Sequence, residues 1–384
     1  MTEKRNRELN NARFFTAAFA AVLFGIFALY LILPQNTFSP KENRVLQTRP
    51  KPALSDVADG SFMTTFETYT TEQLPFRDLF IQGKALINSL CLAKENNGVV
   101  RGKDDYLFEK VYGISDKLSK NETAVIEFIK ETDRPVVVAI APNASEVLKD
   151  YVPKGFPRVD EETELNSFYG RIEAIPNGNA VDLLSPLRKQ TDLQLYYRTD
   201  HHWTTQGAYL GYREIMSMLD AANAANLPAP VDPGTLEKHE AGDFYGTLAA
   251  KYKALFQRPD TLVWYEIPVT SYTMPEGTYD SLYDPEKLSV YDKYAFFLRS
   301  NDSLCEIGAE NAKNGRHLMV FKDSYANCLI PFLTYQYDRI TVVDLRFFSD
   351  SVKELLMSDP DADILLLYHF QFLNEDNHFY RLTS

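Results

Sequence analysis

The sequence predicts an α/β protein, with a mostly parallel sheet in a three-layer sandwich and an N-terminal transmembrane helix. Short, continuous apolar runs alternate with helical stretches, which is typical of strands covered on both faces. A separate uncharged stretch of twenty residues lies near the N-terminus. The 384 residues are 45% hydrophobic and 13% aromatic, so the chain can bury a sizeable core.

The apolar stretch at residues 14–33, FFTAAFAAVLFGIFALYLIL, has the length needed to cross a bilayer core. Residues 1–13 carry four cationic side chains against two carboxylates and are predicted to form a cytoplasmic tail. A cleaved signal peptide is the alternative. The run is long for such a peptide, and residues 31–34 offer no small-x-small cleavage site. We therefore expect an uncleaved single-pass anchor in the cell membrane, with the remaining chain extracellular.

The rest of the chain is predicted to contain two further segments. Residues 34–95 form a juxtamembrane linker, rich in Pro, Lys, Asn and Asp at its start, and then helical pieces broken at Pro75. Residues 96–384 form the main domain, which begins with a hairpin over 98–108.

Within the main domain, apolar runs predict strands at 135–142, 179–187, 317–321, 339–345 and 363–370, and 194–200 reads as extended chain. Helices are expected at 124–131, at 161–174, from Thr205 onward with Thr204 or Thr205 as the cap, and after KDSYAN (322–327). Residues 221–290 are rich in Pro, Gly, Asp and Tyr and predict an irregular insertion with short strands.

Charge and cysteine content exclude some classes. The formal net charge is −13, which argues against nucleic-acid binding because phosphate contacts need clustered Lys and Arg. Three cysteines are too few for a disulfide scaffold. Cys305 and Cys328 can pair outside a cell, or serve as small buried residues.

The stretch RTDHHWTTQGAYLGY (198–212) places two adjacent histidines after an acid and before a tryptophan. In extended backbone, Asp200 and His202 point the same way and His201 points to the opposite side. Asp200 can therefore orient the His202 imidazole, which leaves His202 as the predicted general base.

A second stretch, MVFKDSYAN (319–327), ends an apolar strand with Asp323-Ser324 and then begins a helix. Ser324 there projects at the carboxyl edge of the sheet, where α/β proteins place ligands. Free backbone N–H groups at a helix start can stabilise an oxyanion, although serine at this position is also a common cap. Together the two stretches supply a nucleophile, a base and an orienting acid.

Two other interpretations of the histidine pair stay open. Asp-His-His can ligate Mn²⁺ or Zn²⁺, but the sequence has no Asp-x-Asp set on an upstream strand, and the other four histidines lack ligand spacing. The pair can also be structural, satisfied by neighbours at a helix start. We expect no metal and no cofactor.

TDHHWTTQGAY resembles the signature of the DHHW protein family, which is similar to the alginate O-acetyltransferase proteins of the AlgX and AlgJ type. Further stretches resemble other family segments: ENRVLQTRP (42–50), LPFRD (74–78), GKDDYLFEK (102–110), DKYAFFLRSN (292–301), KDSYANCLIPFL (322–333) and DLRFF (344–348). The resemblance runs over most of residues 40–375.

This resemblance implies an SGNH-hydrolase-like domain in which Asp-x-His precedes the serine, the reverse of the usual SGNH order. It implies Ser324 as the nucleophile, His202 as the base and Asp200 as the orienting acid. Asn301 and the backbone N–H of Tyr325 are candidate oxyanion donors. Arg346 and Trp203 are candidate lining residues, with Trp203 also readable as a core plug under the loop.

The function predicted first is an anchored extracellular O-acyltransferase that acetylates a cell-surface or secreted polysaccharide through an acyl-serine. The resemblance implies a multi-pass membrane acyltransferase as the partner that supplies the acetyl group. A carbohydrate acetylesterase with the same chemistry is the second hypothesis. The third is a non-catalytic polysaccharide-binding component of an export machine.

Overall fold

A computed structural model of the chain describes residues 2–39, 44–91, 94–253 and 257–383. Residues 40–43, in the predicted linker and in the segment 42–50, lie outside the described residues, as do 92, 93 and residues 254–256 of the predicted insertion. The chain divides into two compact units, Met1–Leu92 with Lys253–Leu255, and Ala93–Tyr252 with Phe256–Ser384.

The first unit consists of α1 (Thr2–Ile32), β1 (Phe38–Ser39), β2 (Arg44–Val45), α2 (Leu54–Ala58), α3 (Ser61–Glu72) and α4 (Arg77–Leu90). Within α1, Arg7–Ile32 is long and apolar enough to cross a membrane, with a mean hydropathy of 2.4 over an 18-residue window, a criterion that a signal sequence also meets. The predicted break at Pro75 separates α3 from α4.

The second unit begins with β3 (Glu95–Asn96), β4 (Val99–Arg101), β5 (Leu107–Glu109), α5 (Leu118–Glu131), β6 (Val136–Ala141), α6 (Ala144–Val147), α7 (Glu161–Glu173), β7 (Gly178–Val181), α8 (Leu184–Arg188) and α9 (Thr205–Asn223). It continues with β8 (Lys238–Phe244), α10 (Thr247–Tyr252), β9 (Asp260–Tyr265), β10 (Val269–Met274), β11 (Gly277–Tyr279), β12 (Leu304–Ala309), β13 (His317–Lys322), α11 (Ile330–Leu333), β14 (Arg339–Val343), α12 (Val352–Ser358), β15 (Asp363–His369) and α13 (Phe370–Glu375).

The predicted hairpin over 98–108 is present as β4 and β5, and β3 adds a third antiparallel strand. Its turn contains Asp104 and Asp105 at φ values of 52° and 63°. Aspartate tolerates this left-handed region better than most residues, so the sequence suits the turn.

The large sheet has eight strands in the order β11-β10-β12-β14-β13-β15-β6-β7. The strands from β14 to β7 are parallel, whereas β12 pairs antiparallel with β14 and continues antiparallel through β10 and β11. The α/β class is thus confirmed, but the sheet is mixed rather than mostly parallel. The sequence reading missed β12, LCEIGA, because polar Glu306 interrupts its apolar pattern.

Both faces of the parallel half are buried. Along β6, Val137 and Ala139 face one apolar cluster, while Val136 and Val138 face another. The same alternation runs along β15. Because both faces exclude water, the strands read as the continuous apolar runs that predicted them.

Two local predictions were wrong. The strand expected over 179–187 ends at Val181, because Asp182 Oδ1 accepts the N–H groups of Leu184 and Ser185 and starts α8. The stretch 194–200, predicted as extended chain, turns into a bend at residues 198–200, and an isolated bridge joins Tyr196 to Trp203.

The helix expected from Thr205 is α9, and Thr204 is its cap, accepting the N–H of Gly207 at 3.2 Å. The helix expected at KDSYANCLIPFL (322–333) is present in two short pieces. It begins as a 3₁₀ turn, Ser324–Cys328, and continues into the four residues of α11.

Candidate active site

Residues from four parallel strand ends line one cavity of about 450 Å³. Asn143 follows β6, Ser324 follows β13, Arg346 follows β14, and His369 is the last residue of β15. Parallel strands end at the same edge of a sheet, and α/β proteins place their ligands there. The sequence-based position of Ser324 at this edge is therefore observed.

Asp323 fixes the turn that presents Ser324. Its carboxylate accepts the Tyr325 N–H at 2.9 Å and the His369 N–H at 2.8 Å, which links the ends of β13 and β15. Burial raises the pKa of Asp323 to about 6, against the opposing effect of these two hydrogen bonds. The serine is thus held at a turn tied to two strands of the sheet.

His202 lies between Asp200 and Ser324. Its Nδ1 atom is 2.6 Å from Asp200 Oδ1, and its Nε2 atom is 2.8 Å from Ser324 Oγ. With Nδ1–H donating to the carboxylate, Nε2 is left to accept the serine hydroxyl. The three side chains predicted from the sequence are therefore hydrogen-bonded in series, with acid and imidazole buried.

The backbone of residues 200–202 is not extended, contrary to the prediction from the sequence. Residues 200–202 form a bend rather than a strand, because Asp200 Oδ1 also accepts the His202 N–H at 3.0 Å. His201 consequently does not lie on the opposite side. Its ring is 3.9 Å from the His202 ring, and it lines the same cavity.

The predicted insertion supplies the second support of Asp200. Thr247 donates its N–H at 2.7 Å and its hydroxyl at 3.1 Å to Asp200 Oδ2. A Cβ on the preceding Gly246 would overlap the Asp200 side chain, so only glycine permits this close approach. No local pattern in 221–290 indicates this contact.

Electrostatics favour the ionised form of Asp200 and the neutral forms of His201 and His369. Burial opposes ionisation of Asp200, but the imidazoles of His201 and His202 and their hydrogen bonds hold its pKa well below the usual value. Burial, together with the nearby His202, lowers the pKa of His201 to about 4. Burial likewise holds the pKa of His369 well below its usual value.

Tyr294 fixes the plane of the base. Its ring stacks on His202 with centroids 3.7 Å apart and planes inclined by 9°. Its hydroxyl donates to the Ser324 carbonyl at 3.0 Å and lies 3.3 Å from Cys328 Sγ. Cys328 and Cys305 are free thiols, so the disulfide alternative does not apply in this structure.

The remaining predicted site residues divide into two groups. Tyr325 and Arg346 line the cavity, but Trp203 and Asn301 do not. Trp203 is fully buried and donates its indole N–H to the Tyr325 carbonyl at 2.8 Å, as a core plug would. The Asn301 side-chain oxygen accepts Lys322 Nζ at 2.7 Å and Asn327 Nδ2 at 3.2 Å.

The backbone N–H predicted as an oxyanion donor is occupied, because Tyr325 N donates to Asp323. Asn143, which the sequence reading did not select, lines the cavity instead. Its N–H and side-chain amide donate to the buried Glu161 carboxylate at 2.8 and 2.6 Å. Asn143 directly follows the predicted strand VVVAIAP, and this position alone could have marked it as a residue at the carboxyl edge of the sheet.

Asp200, His201 and His202 lie close enough together to bind a metal ion. Donor atoms of Asp200, His201 and His202 all lie within 4.8 Å of one another. However, both ring nitrogens of His202 already form hydrogen bonds, to Asp200 and to Ser324, so a shared ion would have to replace one of them.

A comparison with protein-family models agrees with the family that the sequence resembles. The model of the DHHW protein family matches residues 177–343, which include the Asp-His-His-Trp stretch and the serine turn. The predicted resemblance to the DHHW family is thereby confirmed.

Among individual proteins, the chain is 24% identical over 190 residues to a probable alginate O-acetylase AlgJ of Pseudomonas putida, covering 47% of this chain and 49% of that protein. The chain spans about half the length of the curated relatives it matches.

Solved structures support the fold. A DHHW family protein from Eubacterium siraeum superposes with a TM-score of 0.63 at 23% identity, covering 76% of this chain and 97% of that one. PatB1 of Bacillus cereus, with a sulfonyl adduct, gives a TM-score of 0.61 at 18% identity over 74% and 97%.

Proposed function

We propose that this protein is a membrane-anchored extracellular O-acetyltransferase that modifies a cell-surface or secreted polysaccharide, on an SGNH-hydrolase-like three-layer frame. The observation that supports it most is the hydrogen-bonded series from Asp200 through His202 to Ser324. A serine hydroxyl is a weak nucleophile until an adjacent base takes its proton. Asp200 and His202 are arranged to do so.

In the first half-reaction, Ser324 Oγ attacks the acetyl carbonyl of the donor while its proton passes to His202 Nε2. The donor's leaving group departs with that proton, and an acetyl-serine ester remains. In the second half-reaction, a sugar hydroxyl gives its proton to His202 Nε2 and attacks the ester. The proton returns to Ser324 Oγ as the acetylated sugar leaves.

Asp200 has a positioning role in both halves. It fixes the imidazole tautomer and stabilises the imidazolium that forms when His202 accepts a proton. Its low pKa keeps it ionised across the physiological range. The lining side chains of Tyr325 and Arg346 then contact the bound substrate.

Relatives named as probable alginate O-acetylases support a polysaccharide as the acceptor. The apolar helix α1 supports anchoring, with the site outside the membrane. Because cytosolic acetyl-CoA does not reach that side, the acetyl group has to be exported by a partner. We propose a multi-pass membrane acyltransferase in that role.

The full chain in detergent tests this proposal with 4-nitrophenyl acetate as the donor. Ser324→Ala is expected to abolish the release of 4-nitrophenol, and equal rates in both proteins would remove Ser324 from the mechanism. Added oligosaccharides are then analysed by mass spectrometry. Gain of acetyl groups on a sugar supports transfer, whereas hydrolysis unaffected by any sugar supports the esterase.

A further inference from the structure

Charged side chains at the rim of the active-site cavity restrict what can enter it. Of the residues that line it, four carry carboxylates and two are permanent cations: Glu109, Asp323, Glu375 and Asp376 against Lys251 and Arg346. A cleft lined mainly by one sign of charge concentrates the field in its interior. The balance is therefore acidic before any pairing is considered.

Both cations are already paired with protein carboxylates. Lys251 Nζ lies 2.5 Å from Glu109 Oε1. Arg346 donates from Nε at 2.9 Å and from Nη2 at 2.5 Å to the two oxygens of the buried Asp344, a bidentate pairing. A carboxylate on a ligand would have to compete with these partners for either cation.

Glu375 and Asp376 keep negative charge at the rim. Gln371 donates an uncharged amide hydrogen to Glu375. Partial burial and the charge of Glu109 raise the pKa of Glu375. The charges of Lys117 and Lys251 oppose that rise. Asp376 accepts the His378 N–H at 2.6 Å.

We infer that the part of the acceptor that enters this cavity carries no carboxylate: the acceptor is an uncharged or amino-substituted glycan rather than a polyuronate. This inference rests on the proposed acetyltransferase function and narrows its substrate class. A uronate would meet Glu375, whose side-chain partner Gln371 is uncharged, and Asp376, whose oxygens lie 3.1 Å from His378 Nδ1. It would also find both cations occupied, and like charges brought together at an interface oppose binding. An uncharged hydroxyl-rich sugar meets no such penalty.

The test uses three aryl acetates that differ only in a meta substituent: a carboxamide, a carboxylate or a trimethylammonium group. By microscopic reversibility, the leaving phenol occupies the position from which an acceptor hydroxyl attacks. The full chain in neutral detergent is assayed at low salt, and each kcat/KM is divided by the rate of the same ester with hydroxide. We expect the anionic ester to react about tenfold more slowly than the neutral one, and the cationic ester at least as fast as the neutral one.

Salt and one variant identify the cause. In 0.5 M salt the discrimination is expected to shrink, because exposed charges are screened. Glu375→Gln is expected to raise the rate of the anionic ester, relative to that of the neutral ester, about threefold. The control Glu131→Gln, at the exposed end of α5, is expected to change neither.

Equal normalised rates for the anionic and neutral esters in the unaltered protein would overturn the inference. So would discrimination that persists at high salt and in Glu375→Gln, since charge would then not be its cause. The proposed function is tested separately, through the dependence of 4-nitrophenyl acetate hydrolysis on Ser324. Its failure would overturn both, whereas failure with the charged esters alone would leave the acetyltransferase proposal standing.

Discussion

Thr247 donates two hydrogen bonds to one oxygen of Asp200, from its backbone at 2.7 Å and from its hydroxyl at 3.1 Å, across 47 residues of sequence. The acid that orients His202 is therefore held by a segment that looked like an irregular insertion. The position of Asp200 therefore depends on the bend at residues 200–202 and on the segment at Gly246-Thr247, and each can be altered by mutation without the other.

Thr247→Val removes the hydroxyl donor and leaves the backbone donor in place. A hydrogen bond to a charged group is worth about 1.5–3 kcal/mol, so we expect kcat for 4-nitrophenyl acetate to fall about tenfold or more. The control Thr261→Val alters an exposed position of β9 and is expected to keep full activity. Equal kcat values in the two variants would show that the hydroxyl does not position Asp200.

Gly246→Ala places a methyl group where the Asp200 side chain lies. Either the acid or the loop must shift, so we expect a loss of kcat of about a hundredfold and a lower unfolding temperature. Gly242→Ala is the matched control, because a Cβ there meets nothing within 4 Å. Normal activity in Gly246→Ala would contradict the contact between the two loops.

The partly buried imidazole of His201 gives a pH dependence of stability. Its pKa in the folded protein, about 4, lies below the value of 6.5 in the unfolded chain, so the unfolded state binds more protons between these values. Stability from this group is full above pH 6.5 and falls as the pH drops through that window. Because the His201 side chain is 35% exposed, solvent screening keeps the loss well below the limit of about 1.4 kcal/mol per pH unit.

His201→Gln is expected to flatten this dependence, measured as the unfolding temperature between pH 4.5 and 7. His239→Gln, which alters a partly exposed ring on β8, is the control and is expected to retain it. A curve for His201→Gln that parallels the unaltered protein would show that His201 does not contribute the proton difference.

Metal removal distinguishes the two chemical interpretations of Asp200, His201 and His202. We expect EDTA treatment followed by desalting to leave ester hydrolysis unchanged, because the proposed mechanism uses the imidazole as a base. Loss of activity restored by Mn²⁺ or Zn²⁺, with about one ion per chain in elemental analysis, would favour a metal centre.

The sequence predicts those features that depend on local pattern. Strands β6, β13, β14 and β15 are continuous apolar runs, and the turn at Asp323-Ser324 follows directly from where β13 ends. Asp200 and His202 were selected from spacing, although the bend at residues 200–202, rather than an extended strand, brings them together.

Features set by distant contacts were not predictable from local pattern. Gly246 and Thr247 show their role only once β8 and α10 bring them against Asp200. Asn301 is predicted as an oxyanion donor, but it does not line the cavity, and its side-chain oxygen faces the buried Lys322. The contact between Asn301 and Lys322 joins residues 21 positions apart, and no local sequence pattern predicts it.

The most direct test of the central claim is to trap the acyl-enzyme. The full chain is mixed with 4-nitrophenyl acetate, quenched in acid within the first turnovers, digested, and analysed by peptide mass spectrometry. We expect an acetyl group on Ser324, with no acetylation of that peptide in Ser324→Ala. Turnover with no acetyl group on Ser324, or undiminished turnover in Ser324→Ala, would contradict it.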